Sequence, residues 1–327
     1  MPGLADCNPG RGVASVPGTC GELAQGMLDG TLVMVTCPID LFATATVELT
    51  EGAGRVRGPI GSPKAARAVE LSLAHLGRND MDARLEIDSP LPRGKGMASS
   101  TADIVAAVGA TAAALNTETT VRQQADMALA IEPSDGVMLP GIALFDHRQG
   151  RVTQSLGDPP GIRVLVLEFA DALDTEAFNA VDRKAALHRK EAHFREALDL
   201  ITVGLNNGDD EMIGRGATHN ALAYQEVLPK PQLPDVLALG RAAGAVGVNV
   251  AHSGTVLGLL FPEDFERAAW AAEEAWKRLS GLTAVHNRRL IGGGIVRRRQ
   301  RESSERTLRK RPRHGRRSST STATPRP

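Results

Sequence analysis

The chain has 327 residues, of which 42% are hydrophobic and only 3% aromatic, and its formal net charge at pH 7 is zero. A chain of this length can bury a substantial core, and we expect two lobes built from small and branched aliphatic side chains. No apolar run reaches the length of a membrane span, and the N-terminus lacks a basic start followed by an apolar core. We therefore expect no membrane insertion and a cytoplasmic location.

The chain begins with a motif of small residues, followed by strand and helix patterns. Residues 16–23 read Val-Pro-Gly-Thr-Cys-Gly-Glu-Leu. Glu22 and Gln25 lie at the end of this motif, where they either contact a ligand or cap a helix. Alternating and periodic apolar residues then predict strands over 32–36 and 42–49, a helix over 66–76 that ends at Gly77, and a strand over 83–88.

Residues 92–101 are the most informative part of the chain, because small residues lead directly into a predicted helix that runs through Asn116. Gly94 and Gly96 can adopt left-handed backbone angles that let main-chain amides approach an anion, while Ser99 and Ser100 can cap the helix. This pattern favours a phosphate site, although most such loops are only turns with an N-cap. Neither the Walker pattern nor the complete dinucleotide fingerprint is present.

Two acidic residues follow the next predicted helix. Thr119 or Thr120 is expected to cap that helix, and Pro133 must end it. Glu132 and Asp135 therefore lie at a helix end and in the adjoining turn. Taken alone, Glu132 is most simply a solvated carboxylate, and Ser-Asp-Gly is an ordinary turn sequence.

The pattern changes near residue 160, beyond which helices and strands alternate in an α+β manner. A third small-residue motif, Ala-His-Ser-Gly-Thr over 251–255, joins two apolar strands. His252 within it is most simply a structural residue of a tight turn. The predicted strands are 142–145, 152–156, 163–169, 246–250 and 255–261, and the predicted helices are 184–206, 212–227, 234–243 and 264–279.

The last segment is strongly basic. Residues 297–327 contain 12 Lys and Arg against 2 acidic residues, a net charge of +10, which leaves a net charge of −10 on the rest of the chain. Few large apolar residues are present, so we expect this tail to be disordered. It is either an arm for an acidic surface such as nucleic acid or a dispensable extension, and we favour the extension.

The three small-residue motifs together resemble those of the GHMP kinase superfamily, over roughly residues 13–296. The resemblance implies an α+β, two-lobe GHMP kinase fold, with an N-terminal α/β lobe of ribosomal protein S5 domain 2-like type and a ferredoxin-like C-terminal lobe. It assigns residues 1–160 to the ATP-binding domain and 161–296 to the C-terminal domain. Residues 297–327 remain the basic tail.

Within this superfamily the motifs look most like those of the bacterial L-threonine kinases. The resemblance implies that ATP and Mg²⁺ are required and that free L-threonine becomes O-phospho-L-threonine for cobalamin biosynthesis or salvage. Three departures from the wider superfamily are Thr19, where many members have lysine, Ala98, where many have a second glycine, and Thr101, which precedes the alanine. The resemblance assigns ATP binding to Pro92, Arg93, Gly94, Lys95, Gly96, Met97, Ala98, Ser99, Ser100 and Thr101.

By the same resemblance, Ser100 and Glu132 are the expected magnesium ligands, because both supply the hard oxygen atoms that this cation prefers. Asp135 is the expected catalytic base, or a residue that only orients the substrate hydroxyl. Lys95 either adds a positive charge for phosphate or is a surface lysine.

Two other functions stay open. The first is that of another small-alcohol GHMP kinase, acting on homoserine or a sugar. The second is that of a non-catalytic nucleotide-binding regulator whose tail reaches nucleic acid. The absence of aromatic residues between the basic residues of the tail argues against nucleic acid as a partner.

Overall fold

The computed structural model describes residues 10–170 and 181–297, whose strands pair into one mixed sheet. The strands are β1 Arg11–Leu28, β2 Thr31–Glu51, β3 Val56–Arg57, β4 Met81–Asp88, β5 Ile142–Phe145, β6 Thr153–Gly157, β7 Ile162–Phe169, β8 Gly247–Val250, β9 Leu257–Pro262, β10 Leu282–Arg289 and β11 Val296–Arg297. The helices are α1 Pro63–His75, α2 Ser99–Ala114, α3 Val121–Leu129, α4 Lys184–Arg189, α5 Glu191–Asn207, α6 Asp210–Ala223, α7 Leu233–Ala243 and α8 Ala268–Arg278. The α+β class is confirmed.

The main path of the sheet runs in the order β10-β7-β9-β8-β1-β2-β4-β3. Its two halves meet where β1 pairs with β8, through Glu22 opposite Val250. Buried apolar side chains form two clusters, one around β1, β2 and α2 and a second around β7, β9 and α7. The domain boundary at residue 160 stays a prediction, because the sheet continues across it.

The first small-residue motif lies inside a strand, which the sequence did not predict. β1 pairs with β2 along almost its whole length, with register shifts between Pro17 and Ala24. Such bulges bend a strand and redirect its side chains, so the Pro-Gly and Cys-Gly pairs interrupt the regular alternation that would have indicated a strand. Capping by Glu22 or Gln25 is thus ruled out, since both lie on β1.

The second motif opens α2, a helix buried along most of its length. Alanine dominates it, which lets it approach β1 closely: a Cβ at Gly12 would lie 2.1 Å from the Ala110 carbonyl oxygen. The scarcity of aromatic residues noted in the composition thus corresponds to close helix-on-sheet packing. This packing fixes the position of the N-terminus of α2.

Several predicted elements are confirmed and others differ. Thr120 caps α3 through a capping box with Gln123, as the sequence suggested. The two strands predicted around Pro38 are one continuous strand, β2, and the helix predicted over 184–206 is interrupted at Lys190. The strand β10 was not predicted; it pairs with β7 at the edge of the sheet.

Among the described residues, no helix is long and apolar enough to cross a membrane. The disorder predicted for the basic tail concerns residues 298–327, which lie outside the described part of the chain.

Candidate active site

The three small-residue motifs come together through main-chain hydrogen bonds. Amides of the first motif, Thr19 and Gly21, donate to the carbonyls of Met97 and Gly96 at 3.1 and 3.2 Å. The carbonyl of Lys95 accepts from the amide of Thr255, in the third motif, and from that of Val256, directly after it, both at 3.0 Å. The loop of residues 92–101, here called the phosphate loop, is therefore held on both sides by backbone.

Glycine is required at this junction for close approach. A Cβ at Gly96 would lie 2.4 Å from the Cβ of Ala251, and one at Gly254 would lie 2.3 Å from the Gly96 nitrogen. Gly96 also has a φ of +83°, in the left-handed region. The loop conformation is consequently set by the third motif as well as by its own sequence.

The first turn of α2 has no side-chain cap. The N-cap position is Ala98, in a left-handed conformation with φ 55°, so Ser99 and Ser100 do not cap the helix as predicted. The amides of the first turn have no partner within the helix and carry the positive end of its dipole. A cavity of about 360 Å³ opens at this point, and a phosphate is the kind of group that would satisfy these amides.

Most of the predicted site residues line this cavity, here called the phosphate cavity. Pro92 and Lys95 are not among the described residues of its lining, and the Lys95 ammonium donates to the carbonyl of Ala170 at 3.0 Å instead. The predicted residues on its wall are Arg93, Gly94, Gly96, Met97, Ala98, Ser99, Ser100, Thr101, Glu132 and Asp135.

Asp135 lies on the wall of the phosphate cavity, in contact with Thr101 of the loop and with Glu22. The Thr101 hydroxyl donates to its carboxylate at 3.4 Å, and the Asp135 amide donates to the same hydroxyl at 3.3 Å. Its carboxylate is also in hydrogen-bonding contact with Glu22, which is buried on β1. The site thus holds two adjacent carboxyl groups.

The surroundings give these two carboxyl groups different proton affinities. Burial, followed by the charge of Asp135, raises the pKa of Glu22 well above its ordinary value, which favours the protonated form of Glu22 as the hydrogen-bond donor to Asp135. Burial and the charge of Glu132 raise the pKa of Asp135 to about 6. Asp135 is ionised at neutral pH and has the proton affinity of a general base.

Glu132 and Ser100 lie on the same cavity and offer a carboxylate and a hydroxyl. The carboxylate of Glu132 already forms an ion pair with the Lys64 ammonium, at 2.6 Å. Hard oxygen donors beside a phosphate site suit Mg²⁺, so the two residues fit the metal that the motifs imply. Lys64 itself was missed, since a lysine at the start of an amphipathic helix carries no distinguishing signal.

Arg93 closes the outer side of the cavity. Its guanidinium donates to the carbonyl of Gly61 and, at 2.9 Å, to the hydroxyl of Ser62, and it lies 3.7 Å from the carboxylate of Asp103. These contacts join the phosphate loop to the segment before α1. The site thus combines the uncapped amides of α2, cationic side chains and the carboxylate of Asp135, a set of groups that suits the transfer of a phosphoryl group to a hydroxyl.

Comparisons with known proteins agree with this geometry. Residues 64–143 match the model of the GHMP kinases N terminal domain. The L-threonine kinase of Salmonella typhimurium is 34% identical over 251 residues, 76% of this chain and 82% of that protein. The L-threonine kinase of Citrobacter freundii is 32% identical over 290 residues, 86% of this chain and 98% of that protein.

Solved structures support the same fold. The homoserine kinase from Cytophaga hutchinsonii superimposes with a TM-score of 0.68 at 16% identity, over 91% of this chain and 100% of that one. A mevalonate kinase structure superimposes with a TM-score of 0.65 at 15% identity, over 86% of this chain and 99% of that one. The motifs, the cavity that they enclose and the similarity to two curated relatives lead to one conclusion: the chain belongs to the GHMP kinases.

Proposed function

We propose that this kinase transfers the terminal phosphoryl group of ATP to the hydroxyl of free L-threonine, giving O-phospho-L-threonine for cobalamin biosynthesis or salvage. The observation that carries the proposal is the position of ionised Asp135 on the cavity into which the uncapped first turn of α2 opens. Threonine as the acceptor is supported by the names of the two relatives at 34% and 32% identity.

Phosphate binding is assigned to the phosphate loop and to the first turn of α2. The loop supplies main-chain amides held in place by Gly94 and Gly96, both of which have left-handed backbone angles. Fixed amides need no reorganisation when charge develops on the transferred group, which makes them effective in the transition state. Arg93 and Lys64 add positive charge at the rim.

We assign to Asp135 the role of binding the acceptor hydroxyl. An ionised carboxylate can orient the hydroxyl along the line of attack and accept its proton as the new P–O bond forms. Protonated Glu22 keeps the negative charge on Asp135, because two adjacent carboxyl groups in a buried site do not both ionise. Thr101 fixes the carboxylate by donating to it.

Ser100 and Glu132 are the residues that would hold Mg²⁺. The ion, when bound, neutralises charge on the phosphate groups. Lys64 would then have to share or release the Glu132 carboxylate that it contacts at 2.6 Å.

Homoserine is the second candidate acceptor. The homoserine kinase of Moorella thermoacetica is 25% identical over 253 residues, 73% of this chain and 83% of that protein. Homoserine carries the same ammonium and carboxylate groups as threonine but a primary hydroxyl one carbon further away. The choice between the two therefore depends on how far from Asp135 the protein binds the carboxylate of the amino acid.

The test is an ADP-release assay of the purified protein with threonine, homoserine and a panel of sugars, with products identified by mass spectrometry. We expect ADP release that depends on threonine and a product with the mass of phosphothreonine. A clear preference for homoserine or a sugar would refute threonine as the acceptor.

A further inference from the structure

A second cavity adjoins the phosphate cavity, and His252 lies on the wall of both. This cavity has a volume of about 530 Å³ and lies between the hairpin of β1 and β2, the segment after β5 and the start of α4. We call it the basic cavity. Its charged lining residues are Arg148, Arg151, Arg183 and Lys184 against Asp146 and Asp182.

The basic cavity attracts anions. Both of its carboxylates already accept main-chain hydrogen bonds. Asp146 accepts from the amides of Arg148, Gln149 and Arg151 at 3.0, 3.0 and 3.1 Å, and Asp182 accepts from the amide of Lys184 at 2.9 Å. Asp146 therefore shapes the turn after β5 and places Arg148 on the cavity wall. The remaining balance of charge favours a ligand with a negative group.

Two further groups on the wall suit a carboxylate. Arg148 and Arg183 both line this cavity, together with Tyr224 and His252, and burial lowers the pKa of the Arg148 guanidinium. His147 is buried, and neither of its ring nitrogens has a hydrogen-bond partner among the described residues. Burial lowers its pKa to about 3, so it is a neutral N–H donor at neutral pH.

The basic cavity is next to the catalytic carboxylate. The carbonyl of His147 accepts from the amide of Ser134 at 2.9 Å, which ties this wall to the residue before Asp135. The rings of His147 and His252 are in edge contact, with centroids 4.9 Å apart. In a 3-hydroxy amino acid a single carbon separates the hydroxyl-bearing carbon from the carboxylate, so both groups must bind in adjacent subsites.

We propose that Arg148 and Arg183, together with His147, bind the carboxylate of the amino-acid acceptor while its hydroxyl lies at Asp135. The inference rests on the proposed function, because it places the acceptor of that reaction. The two guanidinium groups supply charge-assisted hydrogen bonds, and arginine matches the planar geometry of a carboxylate. This subsite selects amino acids over simple alcohols and sugars.

The test compares L-threonine with threoninol, in which a CH₂OH group replaces the carboxylate. We expect Arg148→Gln to lower kcat/KM for threonine about 10- to 100-fold, the loss of one hydrogen bond to a charged group, and to leave kcat/KM for threoninol and the KM for ATP nearly unchanged. Arg183→Gln should act in the same direction. Arg241→Gln, an exposed arginine on α7, is the matched control.

Thermal melting reports whether each variant folds, and Arg183→Gln decides the matter if Arg148→Gln does not fold. Equal losses with both acceptors, or an unchanged kcat/KM for threonine, would overturn the carboxylate subsite. A wild-type enzyme that prefers homoserine to threonine would refute the proposed function. The carboxylate subsite would still stand if the arginine variants lost the preference for homoserine over homoserinol, its analogue without the carboxylate. A wild-type enzyme that uses no amino acid would overturn both.

Discussion

Asp135 and Glu22 are chemically similar carboxyl groups that the site holds in different protonation states. Burial raises the pKa of both, but the proton resides on Glu22, whose second oxygen has no hydrogen-bond partner among the described residues. Such a pair behaves as one titrating unit, in which the proton on one member stabilises the charge on the other. The reactivity of Asp135 therefore depends on its neighbour.

The first prediction concerns Asp135→Asn. The amide keeps the size of the side chain but cannot accept a proton, so we expect kcat with threonine to fall about 10²- to 10⁴-fold. The KM for ATP should change little, because the phosphate loop is intact. Steady-state kinetics with Asp126→Asn, an exposed residue of α3, as the control would measure this; near-normal turnover would remove Asp135 from its role as base.

The second prediction is a pH dependence. Asp135 must be ionised to act, so kcat/KM should be half of its plateau value near pH 6, should reach the plateau well above that pH and should be lost as the pH drops below it. Glu22→Gln retains an N–H donor toward Asp135, so kcat/KM of this variant should fall over the same acidic pH range as in the wild type, here called the acid limb. Glu22→Ala removes the donor, which should raise the pKa of Asp135 and move the limb to higher pH.

A pH–rate profile of the three proteins decides the point. Glu22→Ala and Glu22→Gln with the same acid limb as the wild type would show that Glu22 does not control the ionisation of Asp135.

At the scale of elements, the phosphate loop depends on two other segments for its shape. The third motif packs against it through Gly96 and Gly254, and β1 donates to its carbonyls. The N-cap residue of α2, Ala98, has a φ of 55°, a conformation that costs an L residue roughly 1–2 kcal/mol. The neighbouring segments must stabilise this loop, which suits a site that has to be in place before its ligand arrives.

The third prediction compares two glycines with almost the same backbone angle. Gly96 has a φ of +83° and would place a Cβ 2.4 Å from Ala251, whereas Gly244 has a φ of +81° and no atom within 4 Å. Gly244→Ala should cost about 1 kcal/mol of the free energy of unfolding through dihedral strain alone. Gly96→Ala should cost about 1–3 kcal/mol more and should weaken ATP binding.

Chemical denaturation and calorimetric titration with ATP measure the two effects. Equal destabilisation by both variants, with ATP affinity unaffected, would show that the contact with the third motif does not shape the loop.

The elements with regular patterns were predictable, and the irregular ones were not. Alternation over residues 42–49 predicted part of β2, and the Thr120 cap predicted the start of α3, because both follow local rules. β1 was missed because its bulges break the alternation, and Ala98 at the N-cap could not be foreseen because long-range packing outweighs the local preference for Ser99.

The candidate site shows the same division between local and long-range information. The phosphate loop and Asp135 were predicted from the motifs, whereas the contact between Glu22 and Asp135 depends on strand pairing over long distances in sequence. Polar residues directly after the apolar strand β5 were the available signal for His147 and Arg148.

At the scale of the molecule, the site lies where the two halves of the sheet meet. Glu22 pairs with Val250 at this junction, and His252 borders both cavities. One side thus supplies the phosphate loop and Asp135, and the other supplies His252, which lies between the two cavities. The proposed function uses this arrangement, because it assigns the phosphate groups of ATP and the amino-acid carboxylate to adjacent cavities.

The fourth prediction concerns the basic tail. Removal of residues 298–327 retains Val296 and Arg297, which pair with β1, so we expect unchanged melting temperature, kcat and KM. Binding of RNA or DNA that weakens with salt and disappears with the tail would instead support a nucleic-acid function.

The most direct test of the central claim is a crystal structure with a non-hydrolysable ATP analogue, Mg²⁺ and L-threonine. We predict the triphosphate on the amides at the start of α2 and the threonine hydroxyl within about 2.6–3.2 Å of the Asp135 carboxylate. A triphosphate bound away from the phosphate loop, or a threonine hydroxyl beyond the reach of Asp135, would contradict this account.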